Sequence, residues 1–221
     1  MTSAGGGNSY VIPVYEQNYK RLDHGASDFD HRNVIVASYV WTLPTLHEGP
    51  SALKFLANGW LTTGVVQMRS GDPLTITSGT NNSGTSLGRD RAVYSGSGAY
   101  GSSACNGVAT ACHGYFVPTA FSANPAFASN PGLGYGNVVK GSFVGPRYTD
   151  WDTSLHRVFK ITERANLQFR AEYFNVVNQT NFGDPGTSLS SNSFGRVTGT
   201  TSDNGFTNDP RIAQLALKLS F

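Results

Sequence analysis

The sequence predicts an all-β fold, antiparallel strands of a transmembrane barrel, on three observations. Five stretches of the 221 residues, at 34–43, 60–77, 151–161, 166–177 and 211–221, alternate apolar with more polar side chains, the period of a strand with two unlike faces. The connections between them run medium, very long, very short and long, an asymmetry that membrane barrels show because their turns are short on one side and their loops long on the other. Charged residues make up only 14% of the chain, where soluble domains carry about a quarter.

Taken in order, residues 1–33 are rich in Gly, Ser, Asn and Tyr and read as loop, with a short extended piece at Tyr10 to Tyr15. Val34 to Leu43 is a strand rich in β-branched and aromatic residues. Ile35, Ala37, Tyr39 and Trp41 form its bulkier face, and Tyr39 and Trp41 are expected at the interfacial level of a bilayer. Pro44 to Gly59, with two prolines and two glycines, reads as a connection. Trp60 to Thr77 reads as a second strand, bent near Gly71-Asp72-Pro73, with Gln67 and Arg69 opposed to Val66 and Met68.

Residues 78–146 are Gly, Ser, Asn, Ala and Pro-rich without periodicity, a length of loop that is uncommon in compact soluble domains. Both cysteines of the chain, Cys105 and Cys112, fall in it; a local disulfide is the simplest assignment and requires an oxidising compartment. A metal site using Cys105, Cys112 and His113 is the alternative, but it lacks a fourth ligand at a recognisable spacing. Trp151 to Ile161 is a third strand with Thr153, Leu155, Phe159 and Ile161 on one face and Asp152, Ser154, His156 and Lys160 on the other; Arg157 breaks the apolar parity. After a tight turn at 162–165, Asn166 to Val177 sets Leu167, Phe169, Ala171 and Tyr173 against Gln168, Arg170 and Glu172, the clearest division of wet from oily. Residues 179–209 are a second long loop. Arg211 to Phe221 then closes the chain with Ala213, Leu215, Leu217, Leu219 and Phe221 in one row, at a length close to the ~9–11 residues that span a bilayer as a tilted strand.

Short turns of such barrels face the periplasm and long loops face outward, so 1–33, 78–146 and 179–209 are expected outside and the C-terminus on the periplasmic side. Five strands do not close a barrel, whose minimum is about eight, so a partial barrel is expected. The N-terminus has no basic start and no apolar run, hence no visible signal peptide, and an exported protein would have its true start upstream of Met1. No run reaches the ~18 apolar residues of a membrane helix. With 16 basic and 14 acidic residues, net +2, nothing argues for a nucleic-acid partner.

Two runs carry a family resemblance. The first is Ser27-Asp-Phe-Asp-His-Arg-Asn33 before a strand ending Leu43-Pro44, then Gly59-Trp60 and Ser70-Gly71-Asp72-Pro73. The second is Ile161 to Pro185, ITERANLQFRAEYFNVVNQTNFGDP, followed by Ser193-Phe-Gly-Arg-Val-Thr198, Asp209-Pro-Arg211 and Leu217-Lys-Leu-Ser-Phe221. Together, over about 27–77 and 143–221, they resemble the C-terminal barrel of TonB-dependent receptors, nearest the Oar-like, carboxypeptidase-regulatory-like group. The alternating row Leu215, Leu217, Leu219 and terminal Phe221 also resembles the membrane-assembly signal read by the barrel-assembly machinery.

The resemblance implies a barrel of about 22 strands around an N-terminal plug, uptake or surface binding of a large substrate through outer loops, and energy drawn from TonB through upstream segments that this sequence lacks. It implies as partners the outer-membrane lipid, the barrel-assembly machinery, and the remaining strands and plug of a parent receptor. Function by this chain alone is then not expected. Tyr94, Tyr100, Tyr115 and Phe116 are candidates for stacking on a ligand, against the plainer reading that they pack their own loop.

Two other classes compete. A secreted β-sandwich binding or adhesion module would use the same strands and disulfide, buried between two sheets. A hydrolase would need paired acid and base groups, for which Asp150, Asp152, Glu172 and five scattered His are the nominees, but no G-x-S-x-G, H-E-x-x-H or phosphate loop is present. The reading adopted is no enzyme and no cofactor.

Overall fold

The computed structural model describes residues 22–82, 90–101, 114–124, 135–201 and 210–221. It divides into two compact units, one of residues 1–33, 70–148 and 181–208 and one of residues 34–69, 149–180 and 209–221. The second holds the five long strands: β1 (Val34–Thr42), β2 (Leu61–Arg69), β7 (Tyr148–Lys160), β8 (Asn166–Phe174) and β9 (Ile212–Ser220). They form one antiparallel sheet in the order β1-β2-β7-β8-β9, the neighbour-to-neighbour meander of an up-and-down barrel wall.

Each long strand ends where its sequence stops supplying ladder partners. Between β7 and β8 the turn closes with Ile161 and Thr162 N–H both donating to the Ala165 carbonyl, while the Thr162 hydroxyl accepts from Ala165 N–H at 3.0 Å. The strand expected to reach Val177 stops at Phe174. Asn175 and Asn178 take positive φ of 48° and 54°, a conformation Asn tolerates, and the Asn175 side chain clasps Gln179 N–H at 2.9 Å and Gln179 O at 3.0 Å.

The expected long second strand is two elements. β2 stops at Arg69, and Pro73, which has no N–H to give, opens a separate strand β3 (Pro73–Leu74) paired with β6 (Phe143–Val144). The bend near Gly71 is thus a change of sheet. Gly71 is required there, since a Cβ would stand 1.9 Å from the Gly145 carbonyl oxygen. The Pro44 to Gly59 connection, expected to be irregular, contains helix α1 (Ser51–Ala57). Its run of Ala, Leu and Lys favours a helix, but seven residues do not hold one in water without tertiary support.

The other unit is more ordered than its composition predicts. Residues 78–146 contribute β4 (Val93–Tyr94), a 3₁₀ turn at Pro118–Ala120, β5 (Phe121–Ser122) and β6. Strands of two residues leave no periodicity to read. What holds them is an aromatic core. Phe116, fully buried, has the rings of Tyr100, Tyr115, Phe121, Phe143 and Phe194 at 5.2–6.3 Å, mostly edge to face. Ile76, Ala92 and Val138 complete it. Gly195, at φ +67°, lets the 181–201 segment pass beside Phe116, and its carbonyl accepts from Tyr115 N–H at 2.8 Å.

Candidate functional site

The register gathers one row from each strand onto a single face. Leu219, Leu217, Leu215 and Ala213 of β9 stand opposite Leu167, Phe169, Ala171 and Tyr173 of β8, which stand opposite Phe159, Arg157, Leu155 and Thr153 of β7. On the other side of the sheet Ile35, Ala37, Tyr39 and Trp41 of β1 pair with Met68, Val66, Gly64 and Thr62 of β2. Leu217 is 69% exposed and Leu215 68%. Soluble monomers do not present an apolar surface of several strands' width, so this face is built for a solvent other than water.

The hydroxyls on that face are paired within the sheet. Tyr39 stands next to the middle of β1, and its ring lies over Gly64, where a Cβ would come 2.6 Å from a ring carbon. Its hydroxyl bonds Thr153 Oγ1 at 2.7 Å and accepts from Trp151 Nε1 at 3.3 Å. The Tyr39 phenol, near the middle of its strand, is thus paired within the sheet. Trp41 stands near the strand end and is exposed.

Arg157, the break in the apolar parity, is only 6% exposed. Its guanidinium donates to the Leu56 carbonyl at 2.5 Å and to the Phe55 carbonyl, in the last turn of α1. Rings of Phe159, Phe55 and Trp60 surround it, with centroids at 4.2, 5.5 and 5.6 Å. The sequence marks Arg157 as a break in the parity; what it does not show is α1, the helix that the arginine holds.

On the opposite face Ser154, His156 and Lys160 of β7 meet Glu172, Arg170 and Asn166 of β8, and Gln214 and Lys218 continue the row on β9. A cavity of about 320 Å³ opens on this side between β1, β2, β7 and β8, with Asp152, Ser154, Glu172, Thr63 and Ser38 among its lining. Of the nominated carboxylates, Asp152 and Glu172 share that cavity and Asp150 does not line it. Asp152 accepts from Asn175 N–H at 3.0 Å, holding the β8 end, and Glu172 lies 3.5 Å from Arg170. Both carboxylates have partners in the scaffold. Among the described residues no group of His, Cys, Asp and Glu is spaced to hold a metal.

The loop aromatics go to the plainer of their two readings. Phe116 is core, and Tyr94 stacks on Phe121 at 5.2 Å and meets Phe143 edge on at 5.3 Å, so neither offers a face to a ligand. Tyr100 remains 48% exposed. It and Tyr115 clamp β6: Tyr100 Oη accepts from Val144 N–H, and Tyr115 Oη donates to the Val144 carbonyl, both at 2.9 Å. Burial raises the pKa of both phenols, because a tyrosinate would lose its hydration there. Arg91, wholly buried, donates to Val138 O at 2.8 Å and pairs with Asp23; burial lowers its pKa and Asp23 opposes that. Cys105, Cys112 and His113 lie outside the described residues, as does Tyr10 to Tyr15.

A meandering antiparallel sheet with one continuous lipid-compatible face and one polar face defines a membrane-spanning β-barrel protein. The chain belongs to the outer membrane beta barrel domain family, whose pattern it matches over residues 1–214, and its place is the outer membrane. No curated protein and no solved structure matches it.

Proposed function

We propose that the chain is the C-terminal barrel part of a TonB-dependent receptor-like protein that takes up, or binds at the cell surface, a large substrate. The unit of residues 1–33, 70–148 and 181–208 carries this reading. It is made from the segment that leads into β1 and the two connections, 70–147 and 175–211, that join strand ends opposite the 161–165 turn, far longer than a turn needs, and it has its own aromatic core. Rigid strands with folded outer loops are the build of a recognition surface rather than of a simple hole. The motif-bearing runs at 27–77 and 143–221 supply the TonB-receptor likeness.

In this reading the 161–165 turn and α1 face the periplasm and the folded loops face outward. The edges of β1 and β9 pair with further barrel strands, because lipid satisfies no backbone N–H or C=O. The row Leu215, Leu217, Leu219 and Phe221 engages the barrel-assembly machinery, TonB acts through segments upstream, and no chemistry is catalysed: Asp152 and Glu172 serve the scaffold. A secreted β-sandwich would need a second sheet over the apolar face; among the described residues the other sheets are two-stranded pairs.

Fractionation of native cells, with an antibody to residues 196–221, tests the reading. The expected result is an outer-membrane band well above the 23.6 kDa of this chain. It should change mobility on heating and crosslink to TonB. A soluble band of the chain's own mass would overturn it, and a heat-modifiable band without TonB would leave a barrel but not a receptor.

A further inference from the structure

Helix α1 follows β1 and precedes β2, yet it folds back onto the apolar face of the sheet. Phe55 packs on Phe159 with centroids 5.6 Å apart, Trp60 Nε1 donates to Leu56 O at 2.9 Å, and Arg157 holds the Phe55 and Leu56 carbonyls. Two of these contacts fall on carbonyls at the helix C-terminus, the end where a cation is favoured and where orphan acceptors otherwise need water. The helix is thus fastened from the sheet side by an arginine that is itself 94% buried by the same arrangement.

Outside its contacts with the sheet the helix surface is oily. Leu53, Phe55 and Leu56 are each at least half exposed, and Leu46 stands beside them, its Cδ2 3.9 Å from where a Cβ on Gly49 would lie, with Leu53 Cδ2 at 3.8 Å. A surface segment in water gains nothing from four such residues around one short helix. Because α1 covers part of a face that lies against membrane lipid, its outer side is continuous with that lipid contact.

We propose that α1 is an interfacial anchor: Leu53, Phe55 and Leu56 sit in the headgroup-to-acyl boundary of the phospholipid leaflet, and Arg157 is the positioning residue that holds the helix flat against the barrel wall. The arrangement also explains how an arginine stands on a lipid-facing parity. Its charge meets helix carbonyls and ring faces instead of hydrocarbon. The lipid contact rests on membrane placement alone; assignment to the periplasmic leaflet rests on the orientation proposed above.

The test places a nitroxide label at Leu53→Cys in the full protein, with Cys105 and Cys112 changed to Ser, in phosphatidylethanolamine/phosphatidylglycerol vesicles. Labels at Leu217→Cys and Arg164→Cys are the lipid and water references. Collision with oxygen against a water-soluble nickel chelate reads the environment. The expected result is an oxygen-to-nickel ratio at 53 close to that at 217 and well above that at 164. A ratio at 53 matching 164 while 217 remains in lipid overturns the anchor; water access at both 53 and 217 overturns the membrane reading beneath it. In Arg157→Leu, with heat-modifiability retained, the label at 53 should shift toward water. An unchanged ratio would remove Arg157 from the role, and if that variant does not insert, Arg157→Lys supplies the same readout.

Discussion

The two units of this chain treat apolar side chains in opposite ways. Where residues 70–148 and 181–208 fold, Ile76 and Phe116 are wholly buried and Val197 nearly so. In the five-stranded sheet Leu215, Leu217 and Leu219 are as oily and as regularly spaced, yet each is more than half exposed. The same hydrophobic effect shapes both. One region buries its apolar surface in itself, as any water-borne domain must, and the other leaves it for lipid, which wets Leu without cost. The backbone follows the same split: every long strand is in an extended ladder, while the loop unit gets by with short pairs, isolated bridges and side-chain clasps.

The largest effect is expected from removing the end of the strand that has no use in water. Truncation of Leu217 to Phe221 should abolish membrane assembly of the parent protein, seen as loss of the heat-modifiable band; a normal band in the truncated strain refutes the assembly role. Phe116→Ala comes next. Loss of a fully buried ring should cost the loop unit about 3–5 kcal/mol, read as faster limited proteolysis of residues 70–148 in vesicles, with heat-modifiability unchanged. If the strands fail as well, the two units do not have separate cores. A smaller and more pointed contrast is Leu217→Arg against Ala216→Arg. The first puts a charge at mid-strand on the lipid face and should cost about 2–4 kcal/mol, whereas the second, one residue away on the polar face, should cost far less. Urea midpoints of refolding into vesicles decide it, and equal losses would mean that the faces are wrongly assigned.

How much of this was legible follows from the same physics. Period-two alternation is a direct consequence of a strand with unlike faces, so β1, β7, β8 and β9 were readable to within a few residues, and their grouping into one sheet followed from connection lengths. The loop unit was not readable because its ordering comes from ring contacts between residues far apart, such as Phe116 with Phe143 and Phe194, which leave no local pattern. α1 was hidden by its flanking prolines and glycines, and its main support, Arg157, is about a hundred residues away in sequence. At the site, the lipid-facing row was legible residue by residue. The pairing of Asp152 with Asn175, which makes a nominated acid a strand-end clasp, required the fold.

The least of the expected effects separates the units by pH. Tyr115 and Tyr100 sit in the loop unit with pKa values raised by burial. Below about pH 10 both the folded and the unfolded chain keep these phenols protonated, and their contribution is intact. Above it the unfolded chain sheds the protons while the folded unit retains them, so stability falls as pH rises toward the folded pKa values. Limited proteolysis of residues 70–148 should therefore accelerate between pH 9 and pH 11 while heat-modifiability of the strands holds. Tyr115→Phe should flatten that acceleration and, because the Val144 carbonyl loses its donor, should cost about 1 kcal/mol at neutral pH. Proteolysis that ignores pH in the parent protein would mean that the Tyr115 hydroxyl is open to water and does not clamp β6.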